Sequence, residues 1–426
     1  MLGFVGLIVS VVLFILLTFR GWNMAVASVL SSVLILLFNR MNLFKGFAES
    51  YTQGFSEFAG SWWLLFLLGT TFGRCMQDMG LSDAMARVIY ARFRGRVILA
   101  VLAVSFVLSY GGIGTFVIAF TVYPIASRLF QEASISRNLL PAVMLFCPTT
   151  MCMTMLPGTP SIQNMIPTSF LGTSIYAAPL FGTAAAALTG VMGYLYFWQA
   201  TAAEQPVDTG PSVAGKTKSA PADYLSFLPC ICLWGIAFFM NRVGIESRTA
   251  VAVAMAAAIG VCIVLKRPSV SVQKSINEGS MQGLRTLAAT SCIMGYGALV
   301  QSTEGFQLCM QLLLRISASP LLTSVIAINV IAAGTGSSTA SLQLYYKLFS
   351  EQIAQITLPK ALIHRVTAIA SGGLDSMPYA TGVAIANELA KTSLRDTYRH
   401  IFITCALIPL AVLSIMLLLL SVWVWI

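Results

Sequence analysis

Apolar runs of bilayer-spanning length recur along the whole of this chain, and several are interrupted by short polar stretches rich in glycine and hydroxyl groups. Such runs exclude most folds. Hydrocarbon offers no hydrogen bonds, so a backbone crossing it must satisfy its own N–H and C=O groups, which leaves helices and closed barrels. Apolar runs of about 20 residues, without strict alternation, select helices. With 57% hydrophobic and only 9% charged residues, too few charges remain to coat a soluble domain. The sequence predicts an all-α polytopic membrane protein. Its first apolar run lacks a basic leader and a small-residue cleavage site, so it reads as a first span rather than a signal peptide.

Spans are expected near 2–19, 23–39, 60–77, 97–111, 175–198, 225–241, 247–265, 284–300, 318–335 and 401–425, with broken regions over 112–165 and 336–390. Segments 41–58 and 268–283 are too polar to span and too apolar to be loops. Phe44, Phe47, Tyr51, Phe55 and Phe58 recur at helical spacing, as in a helix lying in the interface, either a connecting arm or a plain anchor. Thr201 to Tyr224 is rich in Ala, Pro, Gly, Ser, Lys and Asp and reads as solvated. The chain thus divides into a first repeat over 1–200, a cytoplasmic linker over 201–222 and a second repeat over 223–426.

The two halves match in order and at near-constant offset: Gly54 with Gly279, Gly80 with Gly305, Met85 with Met310, Gly112 and Gly114 with Gly334 and Gly336, and Pro157 with Pro378. Their basic loops do not match. Arg87, Arg92, Arg94 and Arg96 crowd one loop whose counterpart holds Arg315. Lys266, Arg267 and Lys274 exceed Arg40 and Lys45, which Glu49 partly offsets. If basic loops face the cytoplasm, together with Lys216 and Lys218 of the linker, equivalent loops lie on opposite sides. Two inverted-topology repeats follow, with both termini outside.

The formal charge of +10 comes from Lys and Arg collected in short loops, without the basic face and interleaved aromatics of a nucleic-acid binder, so no nucleic-acid partner is expected. The nine cysteines form no Cys-x-x-Cys pair, and Cys230 and Cys232 have no nearby histidine. They read as small packing residues, and neither metal nor cofactor is expected. No Ser/His dyad, His-Glu-x-x-His or paired catalytic carboxylates appear, so no catalytic residue is assigned and the chain does not read as an enzyme.

The chemistry is expected at the breaks. Gly112-Ile113-Gly114-Thr115 closes one apolar run, and Leu156-Pro157-Gly158-Thr159-Pro160-Ser161-Ile162-Gln163-Asn164 interrupts another. In the second half, Gly334 to Thr339 and Ser371 to Pro378 fall at corresponding places. Prolines here, including Pro148, free carbonyls for a cation or water. Half-helix N-termini opening from the breaks would suit a carboxylate, so an anion site is expected without a buried Arg or Lys. A lone glycine cluster also serves helix packing, but packing does not require Gln and Asn together at a break. Asp375, flanked by Gly372, Gly373 and Ser376, is a proton carrier, a ligand to a coupling cation or a helix cap. Asp78 and Glu304 read as structural caps at the membrane boundary. His364 beside Arg365 reads as a marker of the interface rather than a proton relay.

Leu362-Ile363-His364-Arg365-Val366, continuing through Ala370-Ser371-Gly372-Gly373-Leu374-Asp375-Ser376-Met377-Pro378, resembles the signature of gluconate-permease-type transporters, nearest the hydroxybutyrate-permease-like branch. The stretch from Pro157 to Thr168 resembles their first-half hairpin motif, and Gly73 to Gly80 is similar to the segment after their third span. Tyr379 and Ala380 stand where that branch carries a His-Asn pair. The resemblance implies a secondary active transporter of the ion transporter superfamily, with a re-entrant helical hairpin and a broken transmembrane helix in each repeat. It further implies elevator-type movement, proton coupling, a small organic anion such as gluconate or a hydroxycarboxylate, and a homodimer.

The sequence therefore leads to a symporter in the bacterial inner membrane, coupled to H+ or Na+. Gly114, Thr115, Thr159, Ser161, Gln163 and Asn164 would bind substrate from one repeat; Gly336, Ser337, Ser338, Ser371, Gly372 and Ser376 would bind it from the other. Asp375 would handle the coupling ion. A sodium/proton-type antiporter without an organic substrate is the alternative.

Overall fold

A computed structural model describes residues 2–93, 96–110, 115–159, 161–204, 221–245, 247–265, 271–314 and 320–424. Most of the expected linker, with Lys216 and Lys218, lies outside the described residues, as do Arg94, Gly112, Ile113, Gly114, Pro160, Lys266, Arg267 and Arg315. The described residues are helical, with no strand among them.

The first half runs α1 (Leu2–Phe19), α2 (Met24–Phe38), a short α3 (Leu43–Lys45) leading through a π-helical stretch into α4 (Thr52–Asp78), α5 (Leu81–Arg92), α6 (Val97–Tyr110) and α7 (Thr115–Glu132). It continues with α8 (Leu140–Phe146), which passes into π-helical turns over Cys147–Met155, then α9 (Ile162–Leu171) and α10 (Pro179–Ala203). A 3-10 turn at Pro221–Phe227 opens the second half. There follow α11 (Leu228–Arg242), α12 (Ser247–Val264), α13 (Val272–Gln301), α14 (Glu304–Leu314), α15 (Pro320–Thr335), α16 (Ser338–Leu348) and α17 (Ser350–Ala354). The chain ends with α18 (Lys360–Ser371), α19 (Thr381–Ala390), α20 (Leu394–Phe402) and α21 (Ile408–Val424).

Among the described residues, five helical stretches are long and apolar enough to cross a bilayer: Leu2–Phe19, Arg137–Met155, Pro179–Ala203, Asp223–Met240 and Leu394–Leu420. The bent pair α5–α6 adds a sixth if it counts as one span. Large apolar side chains such as Leu180, Trp198 and Phe239 face outward, as lipid-facing residues do. The molecule is a multi-pass membrane protein.

Segments 41–58 and 268–283 are not separate interfacial helices. Much of the first continues directly into α4, and most of the second is the opening of α13. The polar residues of the second have a packing cause where α4 and α13 lie along one another: Ser275 is buried and donates to Asp78, and Glu278 meets Arg74 Nη2 at 2.5 Å. Glycine permits the approach. A Cβ on Gly54 would sit 2.6 Å from the Met294 carbonyl oxygen, and one on Gly279 would sit 2.6 Å from Thr71 Cα. Small residues that let helix backbones meet are the usual currency of packing in lipid.

Helices of the two halves pack in pairs: α1 on α2 and α11 on α12, α2 on α13 and α12 on α4, α9 on α16 and α19 on α7. At one end, Arg87 Nη2 meets Asp223 Oδ1 at 2.7 Å and ties α5 to the turn that follows the linker. Asp78 accepts from Arg74 Nε at 2.8 Å and Ser275 Oγ at 2.7 Å, joining α4 to α13. All nine cysteines are free thiols.

Candidate functional site

The site forms where the breaks meet. In the second half, α15 ends at Thr335, Gly336 takes a left-handed φ of +62°, and α16 folds back beside α15. That conformation costs glycine nothing and a β-carbon residue about 1–2 kcal/mol. The reversal is fastened by the Tyr345 hydroxyl, which donates to Ser324 Oγ at 2.5 Å. Ser337 then caps α16, accepting the Ala340 N–H. In the first half, Pro148 lies within the π-helical turns after α8, where its missing N–H suits a locally altered ladder. Gly158 turns the chain with a φ of +82°, and its N–H reaches the Ile175 carbonyl at 3.0 Å. Residues 158–175 are thus a closed excursion around α9. Ser161 caps that helix, accepting the Asn164 N–H.

The first turns of α9 and α16 face each other. Gln163 Nε2 donates to Ser338 Oγ at 2.9 Å and to Thr339 Oγ1 at 3.1 Å. Phe170 stacks on Tyr346 further along the same pair of helices. Two short helices, one from each half, therefore point their N-termini at a shared spot, where unpaired N–H groups and positive dipole ends favour an anion. The half-buried Asp375 carboxylate stands beside them, near the Ser338 side chain and hydrogen-bonded by Ser376 Oγ at 3.1 Å. An amide, a hydroxyl and a carboxylate thus run in series from one half to the other.

Other expected residues do different work. Thr159 Oγ1 donates to the Leu156 carbonyl, Ser161 Oγ to Met153 and Ser371 Oγ to Ala368, so these hydroxyls are engaged with backbone. Gly372 packs against the Thr154 side chain. Thr115 opens α7, which lies against α19 and not against α9 or α16. Asn329 was not anticipated, and Thr339 and Tyr379 were noted in the sequence without a site role. Asn329 Oδ1 takes the Leu374 N–H at 3.1 Å and holds the second break to α15. A lone amide within an apolar run was the available signal. Tyr379 is buried between Phe14 and Tyr296, covers Gly336 and donates its hydroxyl to the Ala333 carbonyl.

His364 and Arg365 are both 0% exposed and lie at the base of the α9 excursion. The Asn164 amide nitrogen is committed to the Thr159 and Ile175 carbonyls, so Asn164 Oδ1 faces His364 Nε2, at 2.9 Å, and must accept. Neutral imidazole then carries its proton on Nε2, and Nδ1 accepts from Thr173 Oγ1 at 2.7 Å. Replacing His364 by Ala strands two buried polar groups at about 1–3 kcal/mol each. We expect the unfolding midpoint of the purified protein to fall, and an unchanged midpoint would show that this lock is idle. The Arg365 guanidinium bonds the Leu156, Ile175 and Ala177 carbonyls.

Fold and site together define a multi-pass helical membrane protein in which two broken regions, one from each half, meet in the interior. No protein-family model matches the chain. It is 28% identical to a Bacillus subtilis (strain 168) protein named "Uncharacterized transporter YxjC", over 90% of this chain and 92% of that protein. The likeness supports a membrane transporter in general and does not extend to a substrate or a coupling ion.

Proposed function

We propose that the chain is a secondary active transporter, a proton-coupled symporter of small organic acid anions such as gluconate or hydroxycarboxylates. One observation carries the reading: Gln163 bridges to Ser338 and Thr339, so the N-termini of α9 and α16 converge beside Asp375. Broken helices from two halves that meet inside a membrane protein are the usual setting of a transporter's substrate and ion sites. The helix N-termini would receive the substrate carboxylate, with Gln163, Ser338 and Thr339 orienting its hydroxyls. Asp375 would carry the coupling ion.

The reciprocal packing of the two halves supports two inverted repeats, at 1–200 and 223–426 across a linker; elevator-type movement, a homodimer and the bacterial inner membrane complete the proposal through the sequence resemblance. A sodium/proton antiporter would use the same carboxylate and predicts proton flux triggered by sodium alone.

The test is counterflow of labelled carboxylates in proteoliposomes. A carboxylate that exchanges against itself supports the proposal; none exchanging, with sodium-triggered proton flux present, selects the antiporter. Gln163→Ala removes two hydrogen bonds at the convergence and is expected to raise the half-saturating concentration of the exchanged carboxylate about tenfold, the equivalent of about 1.4 kcal/mol. An unaltered value would take Gln163 out of the site.

A further inference from the structure

Arg365 is fully buried, and among the described residues no carboxylate stands within ion-pair distance of it. An isolated charge in a protein interior is costly unless dipoles replace its water. Here backbone carbonyls do so. Nη2 donates to Ile175 at 3.1 Å and Ala177 at 2.9 Å, Nε to Ala177 at 3.2 Å, and Nη1 reaches Leu156 at 3.4 Å. These oxygens flank the α9 excursion, before and after it, where the chain has left the helical ladder. Carbonyls of unwound backbone gathered around a small cation are how membrane transporters hold a coupling ion. The side chain is also held from behind. A Cβ on Gly182 of α10 would stand 3.1 Å from Arg365 Cδ and Nε, so α10 presses directly on its stem.

We infer that Arg365 is a tethered cation filling a carbonyl cradle at the first-half break, a cation site that the chain occupies with its own side chain. The cradle accepts a small free monovalent cation once the side chain is shortened, and guanidinium fits best because its planar donors match the oxygens already in place. With this cradle permanently occupied, a mobile coupling ion has to bind elsewhere, at Asp375. That last clause rests on the transport reading; the cradle itself does not.

The experiment reads thermal unfolding of the purified full-length protein, so its failure is separable from a failure of the transport proposal. Arg365→Ala is heated with low-millimolar guanidinium chloride, with urea at the same concentration as the neutral look-alike, and alongside the parent protein. The parent is expected to ignore both. The variant is expected to unfold at lower temperature and to regain at least half of that loss with guanidinium but not with urea. Equal effects of urea and guanidinium, or an Arg365→Ala midpoint equal to the parent's, would overturn the inference. Where Arg365→Ala gives no purifiable protein, or neither additive shifts it, Arg365→Lys and Arg365→Met decide. Lys keeps a cation within reach of the carbonyls and Met keeps only the stem. A higher midpoint for Lys upholds the tethered cation, and a Met variant as stable as Lys reduces Arg365 to packing.

Discussion

With Asn in place of Asp375, counterflow of substrate is expected to persist while accumulation driven by a pH gradient disappears. Exchange needs only a site that opens to both sides with its ligand. Accumulation needs a group whose charge changes when the coupling ion binds, and an amide cannot supply one. The substitution is nearly isosteric, its oxygen still accepts from Ser376 Oγ, and the Gln163 bridge to Ser338 and Thr339 is untouched, so the convergence of α9 and α16 should survive. The size of the effect follows from the driving force. One pH unit is worth about 1.4 kcal/mol per proton, or about tenfold accumulation for one proton carried per substrate. The parent should approach that ratio in proteoliposomes and the variant should stay at unity. Gradient-driven uptake undiminished in Asp375→Asn would remove Asp375 from coupling.

The other large effect concerns assembly. Gly54→Val and Gly279→Val each place a branched side chain where a Cβ alone already comes within 2.6 Å of the facing helix, at the Met294 carbonyl oxygen and at Thr71 Cα. Backbone cannot rotate aside as a flexible side chain can, so α4 and α13 would have to separate along their length. Overpacking typically costs about 1–3 kcal/mol, and clashes with backbone sit at or beyond the upper end. Both variants are expected to yield little monodisperse protein on size-exclusion chromatography. A well-behaved Gly279→Val with the parent's unfolding midpoint would refute the close crossing of these helices.

Much of this was legible in the residues. Apolar runs announced several of the spans, although Arg137–Met155 lies within the region expected to be broken. Gln163 stood out because an amide beside Asn164 at a helix break has no packing purpose. Other features were not legible for physical reasons. Whether a half-polar segment lies on a membrane or pairs inside depends on its partner, and Ser275 and Glu278 of α13 find theirs in Asp78 and Arg74 of α4. The setting of Arg365 stayed hidden because a His-Arg pair beside an apolar stretch looks like the edge of a span. Only the path of residues 156–177 reveals that its counterweight is a set of carbonyl dipoles, which no residue identity encodes. Thr339 was overlooked for a related reason: Gln163 reaches two hydroxyls at once, and sequence spacing within α16 does not say which face meets α9.

The reciprocal docking of α9 on α16 and α7 on α19 bears on how the protein is made. The short α9 packs on α16 and α18, so a ribosome that has finished α10 has inserted a half-helix whose mates are not yet synthesised. Quality-control proteases would meet the nascent first half in that state, and a chain stopped near the linker should be cleared rapidly. Supplying residues 221–426 as a separate polypeptide in the same cell should protect it.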